Sequence, residues 1–268
     1  MQNKVILVIL DGLNYHVAHD CMGYLQGLIE QKRAALYQLQ SELPSLSRPL
    51  YECLLTGVTP TQSGIVSNNV IRLSHYDSIF SLAKQQNRVT AAAAYHWVSE
   101  LYNRAPYDAV RDRVTHDESL NIQHGCFYHW DHYPDEALIL DGDYLRRQYQ
   151  PDFLLFHPMN IDDMGHKFGL DSSEYRNTAR HIDVILSHFI DNWLEDGYQI
   201  LITSDHGMNN DKSHGGILEC ERAVPLFVIG EQFSQHDAPI KQTEICGLVC
   251  QLLGLEHEKP YPQGVLTS

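Results

Sequence analysis

The feature that most constrains the fold of this sequence is a series of short apolar runs, rich in β-branched residues, that alternate with longer segments of helical periodicity. Five such runs occur, at 4–10, 88–95, 152–157, 198–204 and 223–230. Runs of this kind are typical of strands that are buried on both faces, as in a mainly parallel sheet. Helical patterns lie between and beyond them, at 24–39, 77–87, 172–197 and 243–255. The sequence therefore predicts an α/β fold with helices on both faces of the sheet.

The composition favours one domain and disfavours polymeric partners. The 268 residues contain no linker, repeat or low-complexity stretch, so we expect a single domain over 1–268. The formal net charge of -15 repels nucleic-acid backbones and anionic membranes, so we expect neither as a partner. The six cysteines form no CxxC pair, and the N-terminus reads as a strand rather than a signal peptide. Both features favour a cytoplasmic location, and the oligomeric state stays open.

Carboxylates and imidazoles follow three of the predicted strands. They are Asp11, Asp162, His166, Asp205, His206 and His214. In an open α/β sheet, ligands bind beyond the carboxyl ends of the strands, where these side chains would gather. Considered alone, each of these residues is explained more simply as an N-cap or an exposed loop residue. Taken together, six ligands of these types suit two divalent cations, with zinc expected and Mn²⁺ able to use the same ligands.

A hydroxyl that can act as a nucleophile lies in the segment 43–57, "LPSLSRPLYECLLTG". Ser47 precedes a pattern that predicts a helix from Arg48, so by default it is an N-cap. The N-terminus of a helix also favours anions such as a phosphate or an alkoxide. Judged by these helix-terminus preferences alone, Ser45 is an equal candidate for the nucleophile.

Six segments in this order resemble the nucleotide pyrophosphatase/phosphodiesterase (type I phosphodiesterase) family of the alkaline phosphatase superfamily. They are "VILDGL", "PSLSRPLYECLLTG", "SGIVSNN", "NIDDMGHKFG", "SDHGM" and "SHGG". The resemblance implies an alkaline-phosphatase-like three-layer sandwich. Only seven residues separate His206 from His214, where the family inserts a long segment, so we expect a minimal cap.

The resemblance also implies a role for each matched residue. One metal would be bound by Asp162, His166 and His214, and the other by Asp11, Asp205 and His206, with the Ser47 oxygen alongside. Ser47 takes the position of the family's threonine nucleophile, and Asn68 that of an asparagine that binds a phosphate oxygen. The implied reaction is two-metal hydrolysis of a phosphodiester or pyrophosphate bond, in a small phosphorylated substrate, through a phospho-serine.

Arg48 departs from the family pattern, which has a bulky aromatic residue at that place. A guanidinium there suggests a second anionic group on the substrate, unless Arg48 instead pairs with an acid of the protein. A phosphomonoester or phosphonate hydrolase of the same superfamily therefore stays possible, as do a phosphomutase and a non-catalytic phosphate-binding relative.

Two further features are ambiguous in the sequence. The stretch 114–136 has no clear periodicity, which predicts a long loop that partly covers the site, with Phe127, Tyr128, Trp130 and His132 lining the substrate pocket. The alternative is that its aromatic residues fold onto the core. His157 ends a predicted strand near Asp162, where it either orients a metal ligand or is a core histidine.

Overall fold

The computed structural model describes residues 3–234 and 236–267. The strands are β1 (Lys4–Ile9), β2 (Ala34–Gln40), β3 (Thr90–Tyr95), β4 (Val114–His116), β5 (His124–Tyr128), β6 (Phe153–Phe156), β7 (Tyr198–Thr203) and β8 (Ala223–Ile229). They form one sheet in the order β2-β8-β7-β1-β6-β3-β5-β4. The central strands β7, β1, β6, β3 and β5 are parallel, while β8 and β4 are antiparallel to their neighbours.

The helices cover both faces of this sheet. They are α1 (Tyr15–Cys21), α2 (Gly23–Glu30), α3 (Ser47–Thr56), α4 (Pro60–Ser63), α5 (Ile79–Gln85), α6 (His96–Tyr102), α7 (Ala109–Asp112), α8 (Asp135–Tyr149), α9 (Asn160–Phe168), α10 (Ser173–Ser187), α11 (Ile190–Glu195), α12 (Glu219–Arg222) and α13 (Ile245–Leu252), with a 3-10 turn at Gln242–Glu244. Helices α3, α5, α6 and α13 pack on one face, and α1, α2, α8, α10 and α11 on the other. The predicted mainly parallel three-layer α/β architecture is confirmed. Among the described residues, no helix combines the length and the hydrophobicity that crossing a membrane requires.

The apolar runs have few polar positions because successive residues face two different cores. Val5, Leu7 and Ile9 of β1 contact the helices on one face, whereas Ile6 and Val8 contact those on the other. A strand buried on both faces excludes polar side chains from both. Its sequence is therefore a continuous apolar run, and five strands could be predicted from such runs.

The prediction of a continuous helix over 24–39 is wrong. Helix α2 ends at Glu30, Lys32 adopts a left-handed conformation with φ 59°, and β2 begins at Ala34. Strand β2 pairs antiparallel with β8, with Ala34 opposite Ile229. The local sequence suits a helix, but pairing with a distant strand decides its conformation.

The prediction of one long loop over 114–136 is also wrong. Strands β4 and β5 lie within this stretch, and β5 pairs in parallel with β3. Phe127 and Tyr128 are buried in the two cores, so they do not line a substrate pocket. Trp130, which is 53% exposed, and His132 lie in the turn after β5. The histidines in this stretch interrupt the apolar pattern of β5, so the strand was not predicted. Its partner is β3, an alanine-rich strand that is distant in sequence.

Candidate active site

The sheet order places the carboxyl ends of β7, β1 and β6 side by side. The segments after these strands carry Asp205, Asp11 and Asp162, and all three carboxylates are buried. One oxygen of each has no hydrogen-bond partner among the described residues: Oδ2 of Asp205, Oδ1 of Asp11 and Oδ1 of Asp162. A buried carboxylate oxygen without a donor is costly, and a cation bound between such oxygens would satisfy them.

Three histidines present the same ring nitrogen to this space. Each donates its Nδ1 proton to a backbone carbonyl: His206 to Gly207 at 2.8 Å, His214 to Ser45 at 2.7 Å and His166 to Lys212 at 2.9 Å. The lone pair of each Nε2 is therefore available, which is the tautomer that a metal-binding histidine requires.

The first group of candidate ligands consists of Asp11, Asp205 and His206. One ligand atom from each lies within 4.8 Å of the others. Nε2 of His206 is 3.4 Å from Oδ1 of Asp11 and 3.2 Å from Oδ2 of Asp205. The two oxygens at these contacts are the unpartnered ones, so the donor set fits a divalent cation.

The second group lies directly beside the first. Ligand atoms of Asp162, His206 and His214 also lie within 4.8 Å of one another. Nε2 of His166 is 3.2 Å from Nε2 of His214 and 3.4 Å from Oδ2 of Asp162. Two nitrogen lone pairs at this separation repel each other unless a cation lies between them. The structure thus brings all six predicted ligands together, with His206 between the two groups.

The electrostatics of the site also favour bound cations. Burial and the charges of Asp11 and Asp205 raise the pKa of Asp162 well above its usual value. Burial and the charge of Asp11 likewise raise the pKa of Asp205. Burial also acts to raise the pKa of Asp11, but the hydrogen bond from His157 and the proximity of His206 outweigh it and lower the pKa to about 2. Several buried carboxylates cannot all ionise unless positive charge is supplied.

His206 and His214 are held neutral. Burial and the neighbouring His206 lower the pKa of His214 to about 3. Burial lowers the pKa of His206, although the charge of Asp11 acts in the opposite direction. Neutral imidazoles keep their lone pairs free for a cation near neutral pH.

Ser47 carries a hydroxyl that faces this cluster. Helix α3 begins at Ser47 itself with Leu46 as its N-cap, so the default interpretation of Ser47 as the N-cap is wrong. Its Oγ lies 3.0 Å from Nε2 of His206, the ring nitrogen that faces the candidate metal ligands. Ser45 instead donates to the carbonyl of Gly216 at 2.9 Å, so its hydroxyl holds the loop that follows His214. The geometry therefore selects Ser47 over Ser45 as the candidate nucleophile.

Asn68 lies beside the same helix terminus. Its Oδ1 accepts a hydrogen bond from the backbone N–H of Arg48 at 3.1 Å. This bond fixes the side-chain amide next to Ser47, and its Nδ2 donates no hydrogen bond within the described residues. The Asn68 side chain is thus bound to the backbone of the residue that follows Ser47.

Arg48 is buried rather than open to a substrate. Its side chain is 1% exposed, and its Nη2 donates to Oε2 of Glu100 at 2.7 Å. The guanidinium lies 4.6 Å from the centroid of the Trp97 ring. Arg48 therefore pairs with an acid of the protein, and its guanidinium gives no reason to expect a second anionic group on the substrate.

Gly12 is a residue of the candidate site that the sequence reasoning missed. Its φ is +74°, and a Cβ atom at this position would lie 2.9 Å from the Cα and Cβ atoms of Asp162. Its N–H donates to Oδ1 of Asp205 at 3.2 Å. Only glycine combines this conformation with such close approach to Asp162 and Asp205, two of the candidate metal ligands. Its position directly after Asp11 was the available signal.

The fold and the site together define an alkaline-phosphatase-like α/β protein with a cluster of candidate metal ligands beside a serine. Residues 5–225 match the family model described as "Type I phosphodiesterase / nucleotide pyrophosphatase", and the chain belongs to this family. The assignment made from the sequence motifs, to this enzyme family, is confirmed.

Curated relatives are distant but cover most of the chain. An uncharacterized pyrophosphatase/phosphodiesterase of Schizosaccharomyces pombe is 23% identical over 77% of this chain and 45% of its own length. The catalytic subunit of human GPI ethanolamine phosphate transferase 2 is 22% identical over 94% of this chain and 26% of its own length. The catalytic subunit of human GPI ethanolamine phosphate transferase 3 is 24% identical over 91% of this chain and 23% of its own length. The chain thus spans less than half the length of these relatives.

Solved structures share the fold. Murine ectonucleotide pyrophosphatase/phosphodiesterase 5 superimposes with a TM-score of 0.78 and 14% sequence identity, over 98% of this chain and 100% of that chain. An inactive threonine-to-alanine variant of the same murine protein, in complex with AMP, gives a TM-score of 0.78 at 13% identity, over 99% and 100% of the two chains. At these identities the likeness concerns the fold alone.

Proposed function

We propose that this protein hydrolyses phosphodiester or pyrophosphate bonds in small phosphorylated substrates, through a phospho-serine on Ser47. The observation that carries the proposal is the Ser47 hydroxyl, 3.0 Å from His206 Nε2 and beside the candidate metal ligands. We propose that Asp162, His166 and His214 bind one divalent cation and that Asp11, Asp205 and His206 bind the other. Zinc is the expected metal, because carboxylate and imidazole ligands suit it, and Mn²⁺ can use the same ligands.

The residues of the chain divide the chemistry between them. Bound divalent cations would supply Lewis-acid stabilisation of phosphate charge and a lowered pKa of the serine hydroxyl. Ser47 Oγ forms a bond to phosphorus as the bond to the leaving oxygen breaks, and a water then cleaves the new ester and restores the hydroxyl. Asn68 Nδ2 donates to a non-bridging oxygen. Because Ser47 is the first residue of α3, the positive end of the helix dipole lies beside the developing charge.

A transferase is the second candidate function. The human relatives named GPI ethanolamine phosphate transferases match more than nine-tenths of this chain. A phospho-serine formed in the same way can pass its phosphoryl group to an alcohol instead of water. The nature of the acceptor therefore distinguishes the two functions.

Monoester or phosphonate hydrolysis, phosphomutation and a purely binding role have less support. Monoester or phosphonate hydrolysis was suggested by Arg48 as a substrate-binding residue, but its guanidinium is buried against Glu100. A phosphomutase needs a closing cap, and only seven residues separate His206 from His214. A non-catalytic relative would be expected to have lost ligands, whereas all six side chains converge here.

We also retain a cytoplasmic location in the proposal, since all six cysteines, each within the described residues, are unpaired.

The test measures turnover of bis-p-nitrophenyl phosphate, p-nitrophenyl phosphate and p-nitrophenyl thymidine monophosphate by zinc- and manganese-loaded protein. We expect diester hydrolysis that is lost on chelation and in Ser47→Ala. Ser187→Ala, which removes a hydroxyl on α10 outside the site, should retain it. A covalent adduct on Ser47 should be trapped by rapid acid quenching.

The same assay separates the candidate functions. Adding ethanolamine or glycerol and identifying the products shows whether an alcohol competes with water for the phosphoryl group. Monoester preference would favour a phosphatase. Full activity of Ser47→Ala, or no turnover by protein that binds its cations, would overturn the proposal.

A further inference from the structure

The two oxygens of the buried Asp11 carboxylate have different surroundings. Oδ2 accepts a hydrogen bond from Nε2 of His157 at 3.0 Å and another from the Tyr51 hydroxyl. Oδ1 has no hydrogen-bond partner among the described residues and lies 3.4 Å from Nε2 of His206. One oxygen is therefore held by protein donors, while the other faces the candidate metal site.

The hydrogen bonds of His157 assign its proton to Nε2. Its Nδ1 accepts the backbone N–H of Tyr95 at 3.3 Å, so Nδ1 carries the lone pair and Nε2 carries the proton that Asp11 accepts. This is the opposite tautomer from His206, which donates from Nδ1 and offers Nε2 as an acceptor. His157 is fully buried, and its geometry is that of a donor to a carboxylate rather than of a metal ligand.

Tyr51 connects this carboxylate to the helix that carries the nucleophile. Ser47 and Tyr51 are four residues apart on α3, so both side chains lie on one face of the helix. The Tyr51 ring packs edge-on against the His157 ring, with centroids 4.5 Å apart and planes at 68°. Tyr51 is also fully buried, so water does not replace its hydroxyl as a donor.

We propose that Tyr51 and His157 are positioning residues that jointly hold Asp11 Oδ2, so that Oδ1 is presented to a divalent cation. This inference rests on the proposed metal-dependent function. Two donors on one oxygen fix the rotation of the carboxylate and stabilise its ionised form. Because Tyr51 and Ser47 share α3, the same contact sets the position of the nucleophile relative to the cation bound by Asp11.

The test is a measurement of cation affinity, by competition between the metal-free protein and a chromophoric chelator for Zn²⁺. Tyr51→Phe removes one donor and keeps the ring. His157→Asn keeps an acceptor near the Nδ1 position for the Tyr95 N–H but has no group that reaches Asp11. His157→Gln restores a donor near the Nε2 position. Asp11→Asn identifies which step of the titration belongs to the Asp11 site.

A matched control removes a buried hydroxyl elsewhere. Tyr198 is 1% exposed and donates to the carbonyl of Pro151 at 2.7 Å, at the amino end of β7 and so at the opposite end of the parallel strands from the candidate site. Tyr198→Phe should lose stability in thermal denaturation without any change in Zn²⁺ affinity. Comparing it with Tyr51→Phe separates a general loss of packing from a specific effect on the cation.

We expect Tyr51→Phe and His157→Asn each to weaken Zn²⁺ binding at the Asp11 site by about 10- to 100-fold. His157→Gln should bind more tightly than His157→Asn. If both donor-removing variants bind Zn²⁺ as the original protein does, the positioning role is overturned while the proposed function stands. If the original protein itself binds no divalent cation, the proposed function fails and the positioning role fails with it.

Discussion

The buried pair of Arg48 and Glu100 yields a prediction that separates structure from specificity. The side chains of Arg48 and Glu100 are 1% and 5% exposed, and Glu100 also accepts the backbone N–H of Tyr107 at 2.9 Å. Glu100→Gln keeps the shape and an acceptor for Tyr107, but it leaves the Arg48 charge buried without a counter-charge. We therefore expect Glu100→Gln to lower the free energy of unfolding by about 3–5 kcal/mol.

The contrast with a surface pair defines the scale of this effect. Arg33 and Asp191 form an ion pair whose side chains are 43% and 59% exposed. Asp191→Asn should cost less than about 1 kcal/mol, since solvent screens exposed charges. The double variant Arg48→Met/Glu100→Leu replaces both charges with apolar groups, so it should cost less than the sum of the single variants.

Urea denaturation followed by tryptophan fluorescence measures these differences. A loss below about 1 kcal/mol for Glu100→Gln would refute the argument, because it would mean that Arg48 is solvated or paired elsewhere. Turnover completes the test. Arg48→Met should affect substrates with one and with two anionic groups alike, whereas a selective loss for the latter would restore Arg48 as a substrate-binding residue.

Two further predictions concern the polypeptide around the site. Burial raises the pKa of Asp135 to about 7 against opposing hydrogen bonds from Asn160 and Met159, so the folded protein holds a proton that the unfolded chain releases near pH 4. Asp135 should therefore lower stability by roughly 1.4 kcal/mol per pH unit as pH rises from about 4 to about 7. The buried Asp162 and Asp205 also titrate, so the test compares two proteins: Asp135→Asn should lack the Asp135 contribution when urea unfolding is measured at pH 5 and pH 8. An unchanged pH dependence would contradict the burial argument. Gly12→Ala should destabilise the fold and weaken Zn²⁺ binding, because a methyl group collides with Asp162; equal Zn²⁺ affinity in chelator competition would show that the Asp162 backbone can move aside.

The sequence by itself determined the central strands and the candidate ligands. A strand buried on both faces must be apolar along its whole length, so β1, β3, β6, β7 and β8 could be recognised without knowledge of their neighbours. The clustering of the candidate ligands could be predicted because parallel strands bring their carboxyl ends to one edge. The resemblance of these segments to the family's motifs was needed to divide the candidate ligands between two cations and to choose Ser47 as the nucleophile.

Only the tertiary structure decided the features that depend on distant partners. The local pattern of β2 suits a helix and that of β5 is unclear, and the conformations of both are set by pairing with β8 and β3. The burial of Arg48 depends on Glu100, which is 52 residues away in the chain. The opposite tautomers of His157 and His206 depend on which backbone groups surround each ring. Local propensity acts between neighbours along the chain, whereas burial and hydrogen-bond partners are fixed by contacts across the fold, so the sequence could predict which residues form the site but not how each is held there.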